Sequence, residues 1–424
     1  MLNLKYVLEK EELVREKLKN RNFDISVYEK MLELAKKRGS LMFDAQNKKA
    51  ELSKLSKLFG EFKNDAQKIK EIKDQITSIK TEQETLETQA NNLNEELEKL
   101  LHTIPNIALD EVPVGKDEEE NVVLSTRDQI GRGLVKNVKP HYELAKDLKL
   151  FDLERGAKLS GSRFILFTQM GAKLVRALMN FMLDLHESKG YTEILPPVLV
   201  KSEMLFGTGQ LPKFEEDLFK VKDWNLYLIP TAEVPLTNIY NNEILDLENP
   251  IRLTAFTECF RSEAGSSGKD TKGIIRQHQF KKVELVKITS EKDAMTEFNS
   301  MLDDAKDVLE KLEIPYRQLL LCTGDTGFSS RKTVDLELWL PSEERFREVS
   351  SVSYMGDFQA RRAMIRYRNE DKKTEYAHTM NGSGIAIDRV LAAVLENYQN
   401  EDGSLTIPTV LQPYMNNLQK IEAK

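Results

Sequence analysis

Between Leu34 and Leu101 the chain has no proline and only two glycines, Gly39 and Gly60, while apolar residues return at alternating steps of four and three. That spacing keeps an apolar stripe on one side of an α-helix and is the pattern of a coiled coil. In the second half the stripe runs through Ile72, Ile76, Ile79, Leu86, Ala90, Leu93, Leu97 and Leu100, with Gln83 as the polar exception. In the first half it runs through Leu34, Leu41, Ala45, Leu52, Leu55, Phe59 and Phe62, interrupted by Arg38 and Lys48. Gly60 to Asp65 reads as a turn, so the two stripes predict an antiparallel helical hairpin, each helix about 50 Å long at ~1.5 Å per residue.

Charge is unevenly spread along this hairpin. The formal net charge of the whole chain is −7, which argues against wholesale nucleic-acid binding. Residues 48 to 73 nevertheless hold eight lysines (Lys48, Lys49, Lys54, Lys57, Lys63, Lys68, Lys70 and Lys73) against four acids. An acidic protein with surplus lysine at the end of a long arm has the means to reach phosphates, because each lysine that meets one releases counterions. A solvated coiled coil that spaces or dimerises explains the same charges.

At 424 residues the chain exceeds what one hydrophobic core usually supports, and two domains are expected. The stretch HTIPNIALDEVPVGKDEEENVV, residues 102 to 123, with two prolines and a run of acids, is the boundary, which we place after residue 105. No run of apolar residues is long enough for a membrane span, and the charged N-terminus lacks the apolar segment of a signal peptide. A cytoplasmic protein is therefore expected. The two cysteines, Cys259 and Cys322, are far apart, and the five histidines are scattered, so no zinc cluster is signalled.

The densest chemistry lies in FRSEAGSSGKDTKGIIRQHQFKKVE, residues 260 to 284. The flanking stretches 253 to 263 and 275 to 287 have strand composition, and Gly265, Gly268 and Gly273 suit a mobile connection. Side chains alternate along strands, so Arg261 and Glu263 share one side, as do Arg276, Phe280 and Glu284. Such a hairpin presents arginines for phosphate oxygens, a ring for a base, and carboxylates for an amine or hydroxyl, which suits a nucleotide. GSSGKDT is not a phosphate-binding P-loop, because its glycines are too close and a strand follows. Gly382 and Gly384 likewise lack the third glycine and the βαβ setting of a dinucleotide fingerprint.

Six strings in order carry a resemblance: GYTEILPPVLV (190 to 200), GTGQLPKF (207 to 214), PTAEVPLTN (230 to 238), the hairpin, REVSSVSYMGDFQARR (347 to 362) and NGSGIAIDRVLAAVLENYQ (381 to 399). Over essentially its whole length the chain resembles the bacterial-type seryl-tRNA synthetases, which are class II aminoacyl-tRNA synthetases. The resemblance implies an α+β fold, with an antiparallel-sheet catalytic domain over residues 106–424 and an N-terminal antiparallel coiled-coil arm within residues 1–105. It implies ATP-dependent charging of tRNA(Ser) with L-serine, tRNA(Sec) being a further candidate, in a homodimer with no membrane association. The arm would grip tRNA(Ser), giving Lys48, Lys49, Lys54 and Lys57 a partner.

The resemblance also implies roles. Arg261 and Arg389 would be catalytic, holding the α-phosphate and the far end of the triphosphate. Serine would meet Thr231, Ala232, Glu233, Glu284, Asn381 and Ser383. ATP would meet Arg261, Ser262, Glu263, Arg276, Phe280, Glu348, Val349, Ser350, Ser351 and Arg389, with Glu348 and Ser351 holding Mg2+ and no zinc involved. Three positions depart from the family pattern. Asp388 stands where bacterial relatives usually have glycine and is expected to tether Arg389, while Lys269 and Lys272 replace arginines. The helix expected within residues 163 to 190 carries more apolar positions than one amphipathic stripe needs, which fits either a dimer interface or a core.

Overall fold

The computed structural model of the chain describes residues 1–62, 66–264 and 272–423. It divides into two compact units, Leu2–Pro105 and Asn106–Lys424 with Met1. The first unit opens with two short helices, α1 (Leu4–Glu9) and α2 (Glu11–Lys19), and continues into the long helices α3 (Ile25–Glu61) and α4 (Ala66–Leu101).

The apolar stripes form the seam between α3 and α4. Ala45, Ile79, Ala90 and Leu97 are buried, and the exceptions Arg38, Lys48 and Gln83 are half-buried in the same stripe. Their polar ends find partners at the edge: Lys48 reaches Glu82 at 2.7 Å, and Gln83 donates to Glu87 at 2.8 Å. The pairs Lys48–Glu82 and Lys30–Glu96, the latter also 2.7 Å, fix the antiparallel register. Helix α3 starts at Ile25, earlier than the heptads indicate, with the Asp24 carboxylate accepting from Ser26 N at 2.9 Å. Its first turns pack on α2 as well as α4, since Tyr28 is buried and its hydroxyl donates to the Glu11 carbonyl at 2.9 Å. A second neighbour widens the apolar face and hides the heptad there. Of the expected turn, residues 63–65 lie outside the described residues, as does Lys63.

The second unit is built on one eight-stranded sheet. Its strands are β1 (Val122–Arg127), β2 (Thr192–Glu193), β3 (Ile251–Phe260), β4 (Gln279–Thr289), β5 (Tyr316–Leu320), β6 (Lys332–Leu340), β7 (Arg345–Gly356) and β8 (His378–Ala386). In space they run β1-β5-β6-β7-β8-β4-β3-β2. All neighbours are antiparallel except β2 and β3.

Alternation along the strands sends apolar side chains to one face of the sheet. Val283, Leu285, Val334, Leu336, Val352 and Met380 join a core with helices α6 (Gln169–Glu187), α8 (Ala294–Lys311) and α10 (Ile387–Asn397). The apolar positions of α6, including Leu174, Leu178 and Met182, are buried in this core. The opposite face is apolar only near the β2 edge, where α7 (Glu233–Asn238) and α9 (Phe358–Ala363) cover Leu253, Ala255, Val286 and Ile288. The rest of that face is polar and open. Among the described residues no helix is long and apolar enough to cross a membrane.

Leu97 is 1% exposed in the arm seam. Leu97→Ala is expected to lower the stability of the helical hairpin by about 2–5 kcal/mol, read by urea unfolding followed by circular dichroism. An unchanged midpoint would contradict this packing.

Candidate active site

Register decides which side chains meet over the open face. Directly opposed residues in antiparallel strands share a face. Phe280 opposes Cys259, Lys282 opposes Thr257, and Glu284 lies between Ala255 on β3 and Ser383 on β8. Asn381 opposes Val286 and Ser353, so it joins the same face. Arg261 follows β3 directly and stacks over the Phe280 ring, 5.1 Å from its centroid. Arg261 and Glu284 are therefore on one side of the sheet.

A cleft of about 710 Å³ is lined by Thr231, Glu233, Arg261, Glu263, Arg276, Glu348 and Arg389 among others, and behind Thr231, hydrogen-bonded to it, lies Glu284. It is fully buried, and a buried carboxylate needs a compensating charge and donors. Lys282 provides the charge at 2.6 Å, Thr231 Oγ1 donates at 3.1 Å, and Asn381 Nδ2 donates at 3.3 Å. The Lys282 ammonium also donates to Thr231 Oγ1 at 2.8 Å, closing a triangle. Beside it, burial and the charge of Glu284 push the Glu233 carboxyl up to about 7, against the Gln359 hydrogen bond of 2.6 Å. Gln359 is held by Thr379 Oγ1 at 2.6 Å. The net has an unused acceptor, Asn381 Oδ1, which is buried without a hydrogen bond.

The other end of the cleft is cationic. Arg276 pairs with Glu263 at 2.6 Å. Arg389, on α10, donates to the carbonyls of Glu348 at 2.7 Å and Ile275 at 3.3 Å and lies 3.6 Å from the Glu348 carboxylate. Glu348 and Ser351 line an adjoining hollow with Asp335, which opposes Ser351 on β6. Asp335 Oδ1 is buried without a hydrogen-bond partner, and burial followed by the Glu348 charge raises its carboxyl well above the ordinary range.

Several expectations need correction. The strands end sooner than composition indicates: Arg261 and Glu263 follow β3, and Arg276 precedes β4. Glu263 takes a left-handed φ of 54°, and the His278 amide bonds the Arg163 carbonyl at 3.1 Å, drawing the return limb off the ladder. Arg276 thus reaches the cleft from a loop, not by strand parity with Phe280. Asp388 does not tether Arg389: it accepts the Lys281 amide at 2.7 Å, behind β4. The Ser262 hydroxyl turns away to the Glu216 carbonyl at 2.5 Å. Ser350 Oγ is spent on the Ser383 carbonyl, also at 2.5 Å, and the Val349 and Ala232 side chains are core. Gly265, Gly268 and Lys269 lie outside the described residues. On the arm, Lys49, Lys54 and Lys57 are exposed, whereas Lys48 is engaged by Glu82.

Three contributors escaped the reading of the sequence. Lys282 shares parity with Phe280 and Glu284, and that signal was present. Asp335 interrupts the apolar run of TVDLELWL, a weaker one. Gln359 carried none.

Comparison with known proteins follows the same division of the chain. Residues 219–398 match the tRNA synthetase class II core domain (G, H, P, S and T), and residues 1–108 match the seryl-tRNA synthetase N-terminal domain. The serine–tRNA ligase of Mycoplasmopsis agalactiae is 62% identical, covering 98% of both chains, and that of Mycoplasma mobile is 57% identical, covering 98% of this chain and 99% of the relative. Among solved structures, seryl-tRNA synthetase from Pyrococcus horikoshii complexed with ATP superposes with a TM-score of 0.95 at 35% identity over the whole of both chains. Cytoplasmic serine–tRNA ligase from Naegleria fowleri in complex with AMP gives 0.87 at 26% identity over 98% of this chain and 96% of the other.

Burial pushes the Asp388 carboxyl up to about 6, opposed by Lys281. The folded protein therefore holds this proton more tightly than the unfolded chain, so stability is fully present below the ordinary aspartate range and is lost as pH rises toward 6. Asp388→Asn keeps an acceptor for the Lys281 amide and removes the charge. Between pH 5 and 8 the wild type should lose on the order of 1–2 kcal/mol that the variant keeps, measured by urea unfolding. Equal pH slopes would contradict it.

Proposed function

Because the chain belongs to the seryl-tRNA synthetase family and is an ATP-dependent serine–tRNA ligase, we propose that the carboxylate floor and the cationic end of this one cleft divide the two substrates between them. Serine occupies the Thr231–Glu284 end. Its ammonium faces Glu233 and its hydroxyl faces Glu284 and Asn381. A site whose polar groups pair with a hydroxyl leaves them unpaired when alanine enters, which rejects the analogue strongly. ATP lies along Arg261, Phe280 and Arg389, the adenine on the Phe280 ring with its amino group toward Glu263, the γ-phosphate toward Arg276.

The serine carboxylate attacks the α-phosphorus, the bond to the bridging oxygen breaks, and pyrophosphate leaves. Negative charge builds on the phosphoryl oxygens, so alignment and fixed positive charge do most of the work. Arg261 serves both the carboxylate and the α-phosphate. The terminal hydroxyl of the tRNA then attacks the seryl carbonyl and AMP leaves. Arg276 exchanges its pairing with Glu263 for phosphate when ATP binds.

Mg2+ fits the phosphate end. Glu348, Ser351 and the unpaired Asp335 Oδ1 are hard oxygen donors of the kind it takes. Among the described residues no group of three His, Cys, Asp or Glu side chains is arranged for a metal. Glu348 and Ser351 would hold the ion together with nucleotide oxygens and water. When bound, it neutralises charge on the phosphates.

The arm takes tRNA(Ser) through Lys49, Lys54 and Lys57, with Lys48 exchanging Glu82 for phosphate. The enzyme works as a homodimer in the cytoplasm. Leu195, 88% exposed beside Pro196 and Pro197, is an apolar residue that a second copy would cover. The observation that supports the functional reading is that Arg261, which lines the cleft, and Glu284, hydrogen-bonded to the cleft-lining Thr231, lie on one face of the sheet.

Glu284→Ala is expected to lower serine-dependent ATP–pyrophosphate exchange by more than about tenfold; activity closer to wild type would remove Glu284 from serine recognition. Deleting residues 34 to 100 should spare exchange and abolish aminoacylation. Unchanged aminoacylation would refute the role of the arm.

A further inference from the structure

Away from the cleft, α10 carries a second functional-looking group. Glu396 lies two helical turns beyond Arg389, so both project from the same side of the helix. Glu396 is fully buried. Four donors hold it. Oε1 accepts from the His141 amide at 2.9 Å, from His141 Nδ1 at 2.8 Å and from Ser342 Oγ at 2.9 Å, and Oε2 accepts from the Ser342 amide at 2.8 Å. A buried carboxylate is costly unless its oxygens are met by donors, so the arrangement calls for a reason.

His141 opens helix α5 (His141–Asp147) and is itself buried. A ring nitrogen that faces a backbone N–H must accept, so with the Ile274 amide on Nε2 the proton sits on Nδ1. Nε2 takes the Ile274 amide at 3.1 Å. Ile274 belongs to the return limb that delivers Arg276. Gly273 has φ +73°, and a Cβ there would stand 2.0 Å from His141 Nε2, so the ring is pressed against this backbone. One residue on, the Ile275 carbonyl accepts from Arg389 Nε at 3.3 Å. Helix α10 therefore holds the limb twice, directly through Arg389 and through Glu396 acting by way of His141.

We propose that His141, its tautomer set by Glu396, is a positioning residue that fixes the Ile274–Arg276 limb for the triphosphate of ATP. It touches no substrate. Loss of the Nε2 acceptor frees the Ile274 amide and lets Arg276 and the Ile275 carbonyl drift, which weakens ATP binding while the serine end, built on β4 and β8, is unaffected.

This inference rests on the ATP reading of the cleft. In serine-dependent ATP–pyrophosphate exchange, His141→Leu is expected to raise KM for ATP about tenfold and leave KM for serine within about twofold. His141→Gln, whose carboxamide oxygen reaches toward the Nε2 position, should return KM for ATP to within about threefold of wild type. Gly273→Ala attacks the same hydrogen bond from the loop side, leaves the core intact, and should reproduce the ATP defect if His141→Leu does not fold. Failure of the wild type to catalyse exchange would indict the ATP reading itself. With an active wild type, an unchanged KM for ATP in Gly273→Ala, equal rises in both KM values, or no rescue by His141→Gln would each overturn the positioning role.

Discussion

A carboxylate placed in the middle of a sheet is the constraint on which the rest of the site depends. Glu284 is fully buried, and water cannot solvate it, so its charge must be met by protein. Lys282, two residues earlier on the same strand and hence on the same face, meets it, and Thr231 and Asn381 each add a donor. In the proposed function, a small substrate carrying an ammonium and a hydroxyl meets polar atoms that are already oriented. Preorganisation of this kind gives discrimination that apolar area could not supply for a side chain as small as serine.

The strand period allows this without loss of the core. Odd and even positions of β4 divide between Val283 and Leu285, which pack on the helices, and Phe280, Lys282 and Glu284, which face the cleft. One helix serves both faces of the problem: α10 packs Val390, Leu391 and Val394 into the core and turns Arg389 to the cleft. The cationic end is built differently. Arg276 comes from a loop whose path is fixed by hydrogen bonds from distant parts of the chain.

What the sequence disclosed follows from that difference. The arm was legible because heptad spacing is local; even Arg38, Lys48 and Gln83 sit in the seam where the register puts them. The Phe280–Glu284 face was legible for the same reason, since parity within one strand needs no knowledge of neighbours. Arg276 was assigned to the strand because Ile, Gln and Phe around it have strand composition, whereas Arg163 and His141, remote in sequence, pull the limb off the ladder. Asp388 was expected beside Arg389 by adjacency, but successive helical residues point about 100° apart, and it faces Lys281 instead. Helix α3 begins before its heptads because α2, invisible to a two-helix pattern, covers its first turns.

The most direct test of the central claim is ATP–pyrophosphate exchange by the intact wild-type protein across a panel of amino acids. If Glu284, Thr231 and Asn381 form a pocket for a hydroxyl-bearing substrate opposite Arg261, serine alone should support rapid exchange, with alanine and threonine slower by orders of magnitude. Exchange driven equally well by alanine, or absent with every amino acid, would contradict the account.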